Sequence, residues 1–289
     1  MDPTMFMILN QLMHGLAYGM LLFLVAAGLS MIFGMMDILN LSHAYFFMLA
    51  AYLGYSITVV SSFWVALLIA PLILAVIGMV MERFMIRKVH PFGHIPELVL
   101  TIGVGLIMME FAKAVWGTQS LMLQPPELLK GLINIGVFSY PLYRAFLIFF
   151  AIAVMIFMVL LFYKTRFGTV IRAATADADM VSTLGINVPL VYTLFFGFGI
   201  WLAGLAGVVV APFLSVFPGL ADQVGFGAFV VVVLGGLGSM SGAFVASILI
   251  GLLNSFGIQF IPTAAPLLTF GLMALVLSIK PTGLFGERQ

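Results

Sequence analysis

Long apolar runs follow one another along the chain, separated by short breaks where polar residues, glycine and proline gather. Nine runs stand out, at 6–33, 40–60, 63–86, 97–116, 141–163, 190–211, 224–235, 242–257 and 264–280. Most approach the roughly 20 residues that a helix needs to cross the hydrocarbon core of a bilayer. They are too long and continuous for strands, and lack the polar/apolar alternation of a membrane barrel. The pattern predicts an all-α, polytopic membrane helix bundle of eight or nine transmembrane helices, in a single domain over 1–289. The seventh and eighth runs are short and joined by Gly235-Gly236-Leu237-Gly238-Ser239, which reads as a pair of half-helices.

Composition sharpens this picture. Hydrophobic residues make up 64% of the 289 residues and charged residues 7%, against about 25% charged in a soluble domain. So little charge cannot solvate the surface of a globule, so the outer surface meets membrane lipid. The net charge of +1, without a basic stripe, excludes a nucleic-acid partner. The absence of cysteine excludes disulfides, thiolate metal sites and cysteine nucleophiles. Met1 to Asn10 contain no Lys or Arg, and the run that follows is too long for a signal peptide, so the first segment reads as a mature span.

The basic residues are unevenly shared. Arg83, Arg87, Lys88, Lys164, Arg166, Arg172, Lys280 and Arg288 fall on one side if the spans alternate, and only Lys113, Lys130 and Arg144 on the other. The positive-inside rule puts the first group in the cytoplasm, the N-terminus outside and the C-terminus inside. The longest outer connection, Trp116 to Pro141, carries Pro125-Pro126, which stops a helix. It reads as a cap or docking surface, or as a plain connector.

Asp37, Asn40, Ser42 and His43 are the densest polar group near membrane depth. Asp37 or Asn40 can cap the helix that follows. Alternatively the break contributes to a translocation pathway, because irregular backbone within a membrane is tolerated only beside protein or water. Asp222, ahead of Gly225 and Gly227, resembles Asp37 ahead of Asn40, and small pairs follow both, Ala50-Ala51 and Gly235-Gly236. This suggests an internal repeat. Small residues four apart, at Gly15 and Gly19, at Ala203 and Gly207, and at Ala243, Ser247 and Gly251, predict close helix packing. Glu110 and Lys113 share a helical face and can pair. His14 reads as packed or interfacial. His90 and His94 are no metal site, since Pro91, Gly93 and Pro96 break the helix that their spacing would need.

On the basic side, 164–189 forms a loop whose alanine-rich stretch from Arg172 to Leu184 predicts one short helix, with Gly185 placed to end it. Ile171, Ala174, Ala178 and Val181 give it an apolar face. With one Arg and two Asp it is poor in the basic residues of a lipid-surface helix, and fits a groove in a cytoplasmic partner better.

Five ordered motifs carry a resemblance from about Gly15 to Gly286. They are Gly28-Leu29-Ser30-Met31-Ile32-Phe33-Gly34 with Asn40-Leu41-Ser42-His43; Glu82-Arg83 with Thr101-Ile102-Gly103; Arg172-Ala173, Asp177 and Leu184-Gly185-Ile186; Leu234-Gly235-Gly236-Leu237-Gly238-Ser239 with Gly242-Ala243; and Lys280-Pro281-Thr282-Gly283-Leu284-Phe285-Gly286. In this the chain resembles the permease subunits of branched-chain amino-acid ABC importers. One departure is Ala44, where that family commonly has Gly.

The resemblance implies a transport subunit, not an enzyme, in the bacterial inner membrane. It implies a second permease subunit, two cytoplasmic ATPase subunits and a periplasmic substrate-binding protein. No cofactor is expected in this chain; ATP and Mg belong to the ATPases, in keeping with the lack of a G-x-x-x-x-G-K-[ST] loop here. Asp37, Asn40, Ser42, His43, Gly235 and Gly236 are the expected pathway residues. Arg172, Ala173, Asp177, Asp179, Val181, Leu184 and Gly185 are the expected ATPase contacts. Urea, short amides and aromatic carboxylates remain alternative substrates, and a stand-alone secondary transporter or channel the alternative class.

Overall fold

A computed structural model of the chain describes residues 3–135 and 138–286. Its helices are α1 (Pro3–Met36), α2 (His43–Val60), α3 (Phe63–Met81), α4 (His94–Trp116), α5 (Leu142–Lys164), α6 (Arg166–Ala176), α7 (Ala178–Thr183), α8 (Val188–Val210), α9 (Leu220–Gly235), α10 (Met240–Phe260) and α11 (Ala265–Ile279). Seven are long and apolar enough to cross a membrane, while α9 and α11 are shorter apolar helices. All nine apolar runs are therefore helical, in a polytopic bundle.

The eighth run is not a half-helix. α10 spans 21 residues, because Ser239 caps its start and Ile258, Gln259 and Phe260 continue it beyond the apolar stretch. Gln259, beyond the run, and Ser255, within it, both bond across to Gln11 of α1, so the polarity at this end is a helix–helix contact. α9, at 16 residues, is short as expected.

The packing repeats itself. α1 packs on α9 and α10, and α8 packs on α2 and α3. α2 packs on α3 and α4, and α9 on α10 and α11. Exchanging α1 with α8, α2 with α9, α3 with α10 and α4 with α11 reproduces these pairs. α5 lies between the two sets as an odd span, so the second set runs opposite to the first. This is an inverted repeat, in which α1 and α8 touch each other across the centre.

The small-residue rows are the contact surfaces. A Cβ on Gly19 would lie 2.5 Å from the Ser247 carbonyl oxygen, and one on Gly15 2.8 Å from the Leu252 Cα. On the other half, a Cβ on Gly207 would lie 2.2 Å from the Phe47 carbonyl oxygen, beside Ala50. In lipid, helices associate by such close packing, since apolar burial gives no advantage there. Gly19→Leu is therefore expected to separate α1 from α10 and cost about 1–3 kcal/mol or more. The check is the thermal aggregation temperature of the purified protein in detergent; an unchanged value would mean that this contact is not tight.

The two ends of the bundle differ. At the end away from the basic loops, Arg144 bonds His14 and lies 5.2 Å over the Phe213 ring. There the sequence suggested no strands, yet Leu132–Ile135 (β1) and Phe138–Pro141 (β2) form a small antiparallel hairpin within the long loop. Pairing supplies the backbone partners that a proline-stopped loop cannot obtain from a helix. Tyr140 of this hairpin donates to the Met13 carbonyl, and burial pushes its phenol up to about 12 against the opposing Arg144 charge, so the anchor stays protonated.

At the basic end, α3 continues into a π-helical turn, Glu82–Ile86. Buried Glu82 accepts from Arg87 Nη2 at 2.7 Å and from Thr193 Oγ1 at 2.7 Å, the partnering that a buried carboxylate requires. The expected helix Arg172–Leu184 is two helices. α6 begins earlier, capped by Thr165, and ends at Ala176. Asp177 then accepts from the Met180 N–H at 2.9 Å and starts α7. A short carboxylate that serves a new helix N-terminus competes with continuing the old one. Gly185 does end the element, with φ +84. The tail folds back so that Leu284 and Phe285 N–H donate to the Leu234 and Gly235 carbonyls at 2.8 and 2.9 Å. Arg288, counted among the basic residues, lies outside the described residues.

Candidate functional site

The connection between α1 and α2 turns back into the bundle. His43, the first residue of α2, bonds the Val25 carbonyl through Nε2 at 3.1 Å. Val25 lies eleven residues before the end of α1 at Met36, so α2 begins roughly 16 Å in from that end. Its counterpart α9 also begins deep. Gly227 of α9 sits at the level of Leu22, where an added Cβ would be 2.9 Å from Leu22 Cδ2. The N-terminus of α9 thus lies about 10 Å further from the basic end, near the middle of α1. The two helices start in the middle of the bundle and cross where Ala44 meets Gly225, at 2.5 Å for a Cβ on that glycine. This explains the Ala44 departure: the methyl group is accommodated because the residue opposite has no side chain.

A cavity of about 430 Å³ lies at this crossing, between α1, α2, α4 and α9, and Asn40, His43, Ala44, Tyr45, Ala221 and Asp222 contribute to its wall. That volume suits a small molecule. No side chain caps either helix N-terminus, and the first turns of both helices contribute to the cavity wall, which gives it a positive electrostatic bias. Two wall residues are almost fully buried and carry unused polar atoms, Asn40 Nδ2 and His43 Nδ1. A carbonyl can only accept, so His43 Nε2 holds the ring proton and Nδ1 of the neutral ring is an acceptor. Buried groups without partners are rare in folded proteins. Here they are a donor and an acceptor, both unused, on residues of the cavity wall. Beside them Tyr45 donates to Asp222 Oδ1 at 2.9 Å. Asp222 is exposed, on a helix that is otherwise apolar except for the adjacent Gln223, at membrane depth. A carboxylate there belongs against water or a partner, not lipid.

The residues singled out from sequence separate into three places. Asn40 and His43 line the cavity. Ser42 is buried behind them, donating to Asn40 Oδ1 at 2.5 Å. Asn40 therefore does not cap α2 but organises the turn before it, accepting from the Ser42 N–H and hydroxyl. Asp37 caps nothing either. It adopts φ +54, a left-handed conformation that Asp tolerates, and lies 3.5 Å from His94 Nε2 at the basic end. His94 and His90 both reach buried Glu97, so the start of α4 is tied to the unwound segment. Thr101 of α4 adds a second tie by accepting from the Leu41 N–H at 3.2 Å.

Gly235 and Gly236 lie at the basic end of α9, away from the cavity. A Cβ on Gly235 would be 2.4 Å from the Gly242 carbonyl carbon, and one on Gly236 2.5 Å from the Gly286 nitrogen. They let the α9–α10 turn and the tail pack together.

Among the loop residues, Ala173, Asp177, Asp179, Leu184 and Gly185 are exposed, whereas Val181 packs with Ala174 and Val188 inside the chain. Arg172 turns inward, donating to the Phe162 carbonyl and lying 5.4 Å over the Tyr163 ring.

Tyr45, Asp222 and Gly225 were not identified as site residues from sequence. The available signal was the likeness between the breaks at Asp37 and Asp222, which pointed to the second helix start but assigned it no role.

Comparison with known proteins follows the same lines. The high-affinity branched-chain amino acid transport system permease protein BraD of Pseudomonas aeruginosa is 28% identical over 306 residues, covering 99% of this chain and 98% of that protein. The corresponding permease protein LivH of Salmonella typhimurium is 27% identical over 299 residues, covering 97% and 96%. A probable LivH of Methanocaldococcus jannaschii is 29% identical over 146 residues, 48% of this chain and 46% of that one. No solved structure gives a significant match. The family model described as branched-chain amino acid transport system / permease component matches residues 11–277, and the chain belongs to that family.

Proposed function

We propose that this chain forms one half of the pathway of an ABC importer for branched-chain or other hydrophobic amino acids in the bacterial inner membrane. A periplasmic binding protein delivers the substrate, two separate ATPases drive transport, and a second permease subunit closes the open side of the cavity. The single observation that carries this reading is the convergence of two uncapped helix N-termini on unused polar atoms beside Asp222. A zwitterion matches that arrangement. Its carboxylate takes the helix amides and Asn40 Nδ2, while its ammonium donates to Asp222 and His43 Nδ1. An apolar side chain finds Val25, Leu29, Ile102 and Phe229 on the remaining wall.

The switch between open sides follows from the same parts. The unwound segment 37–42 is held to α4 by Thr101 and His94. Motion of the exposed α6–α7 element reaches α1, because Thr175 donates to the Met35 carbonyl at 3.1 Å, next to that segment. ATPase closure can thus move the helix starts that hold the substrate.

The test is co-expression with the neighbouring ATPase and binding-protein genes, then uptake of labelled leucine into proteoliposomes. Uptake should require ATP and the binding protein. Uptake by this chain alone, driven by an ion gradient, would instead establish a secondary transporter. Sidedness is checked separately: reporter fusions after Lys88 and Arg172 should read cytoplasmic and one near Pro125 periplasmic. The reverse pattern would invert the whole scheme.

A further inference from the structure

A second cavity, about 580 Å³, lies at the basic end of the bundle between α1, α5, α6 and the start of α10. It shares no residue with the first cavity. Its wall divides into a polar and an apolar part. Arg172, Ser239 and Ser241 contribute to the polar part, and Met155, Val159 and Phe162 of α5 to the apolar part.

Three observations point to a bound anion. Arg172 spends one donor on the Phe162 carbonyl, of the five that a guanidinium carries. Among the described residues no carboxylate pairs with it. The 21-residue helix α10 begins at this wall, and Ser239 caps only Gly242, at 3.1 Å. The Met240 and Ser241 amides have no acceptor among the described residues. Such amides at a helix start form a ready anion site. The third observation is independent of both: Ser30 Oγ is buried, with 1% of the residue exposed, has no partner, and lines this cavity. An unused hydroxyl at such burial marks a place where a polar group is missing.

We propose that this cleft holds an anionic phospholipid, its phosphate on Arg172 and the α10 amides and an acyl chain along α5. Depth decides for a lipid over a free phosphate. Arg172 of α6 lies against the last turn of α5 through the Phe162 carbonyl, close in the chain to the exposed Lys164 and Arg166. Val159 and Met155 lie five and nine residues inside the end of α5, roughly 8 and 14 Å deeper. The cleft is thus basic where headgroups lie and apolar where chains lie. The phosphate would rest on Arg172, whose own helix α6 leads to α7, so lipid binding would steady the element that the proposed ATPase meets. The site itself is independent of that reading.

The experiment is native mass spectrometry of the full-length protein, released from detergent with added dioleoylphosphatidylglycerol or dioleoylphosphatidylcholine. Phosphatidylglycerol should bind tighter by roughly tenfold, the worth of one charge-assisted contact. Arg172→Gln should erase most of that preference. Val159→Trp, which fills the apolar trough without touching a charge, should weaken both lipids. Arg166→Gln removes a neighbouring exposed cation and should leave the preference standing. Equal binding of the two lipids, or a preference unchanged in Arg172→Gln, overturns the proposal. If millimolar inorganic phosphate displaces the lipid, and glycerol phosphate binds as tightly as phosphatidylglycerol, the cleft is a free-anion site and the lipid assignment fails.

Discussion

Asp222→Asn is expected to reduce leucine uptake by about ten- to a hundredfold while the protein inserts and accumulates normally. The substitution keeps shape. The amide oxygen that replaces a carboxylate oxygen can still accept from Tyr45, so the contact between α2 and α9 survives. What disappears is a negative charge at membrane depth beside the cavity. A hydrogen bond to a charged group contributes about 1.5–3 kcal/mol, which corresponds to that range of affinity. Tyr45→Phe removes only a neutral donor and should cost less, about 0.5–1.5 kcal/mol. The decisive measurement is competition. Wild-type uptake should be inhibited poorly by 4-methylpentanoate, which lacks the ammonium, and the variant should lose that discrimination. Normal uptake with unchanged discrimination in Asp222→Asn would show that the substrate ammonium goes elsewhere.

The second large effect concerns the short helix α7. Met180 and Leu184 are 60% and 72% exposed and one turn apart. Two large apolar side chains held out on a polar element suit a partner's pocket, and such anchors contribute about 2 kcal/mol or more each at an interface. Replacing both by Asp should weaken ATPase association by roughly a hundredfold or more. The variant should insert normally and lose ATPase co-purification and substrate-stimulated hydrolysis together. Asp179→Asn, an exposed charge, should change association by about 0–1 kcal/mol. A bulky residue at Ala174 tests something else. That alanine is 1% exposed against Val181 and Val188, so Ala174→Trp would disrupt the small core under α7 before any partner arrived. If the double Asp variant retains a full complement of ATPase, the docking surface lies elsewhere on the basic end.

The apolar runs located the nine apolar helices found among the described residues, because a bilayer imposes a length and a composition on each span independently of its neighbours. The uneven basic residues propose the sides for a similar reason: each cation is sorted by its own loop. Small residues at Gly15, Gly19, Ser247 and Gly251 announced close packing, and the structure pairs these very rows with each other.

The site was legible only in part. Its unwound segment was visible as polar residues between apolar runs, and two of its four members, Asn40 and His43, line the cavity. Asp37 carried the most conspicuous charge and lies outside it, tied to His94. Local polarity does not tell which way the chain turns after α1 ends. That direction is set by contacts distant in sequence, such as Leu41 with Thr101. The partnership of Tyr45 with Asp222 spans 177 positions. It exists because two repeats of opposite direction bring their broken helices to one point.

The fold class and the packing faces of this protein were thus determined by sequence alone, since each follows from a solvent or a neighbour acting over a few turns of helix. The cavity, its charge and the inward turn of Arg172 were decided by tertiary structure. They depend on where two distant helix starts meet, and no local pattern of residues encodes a meeting point.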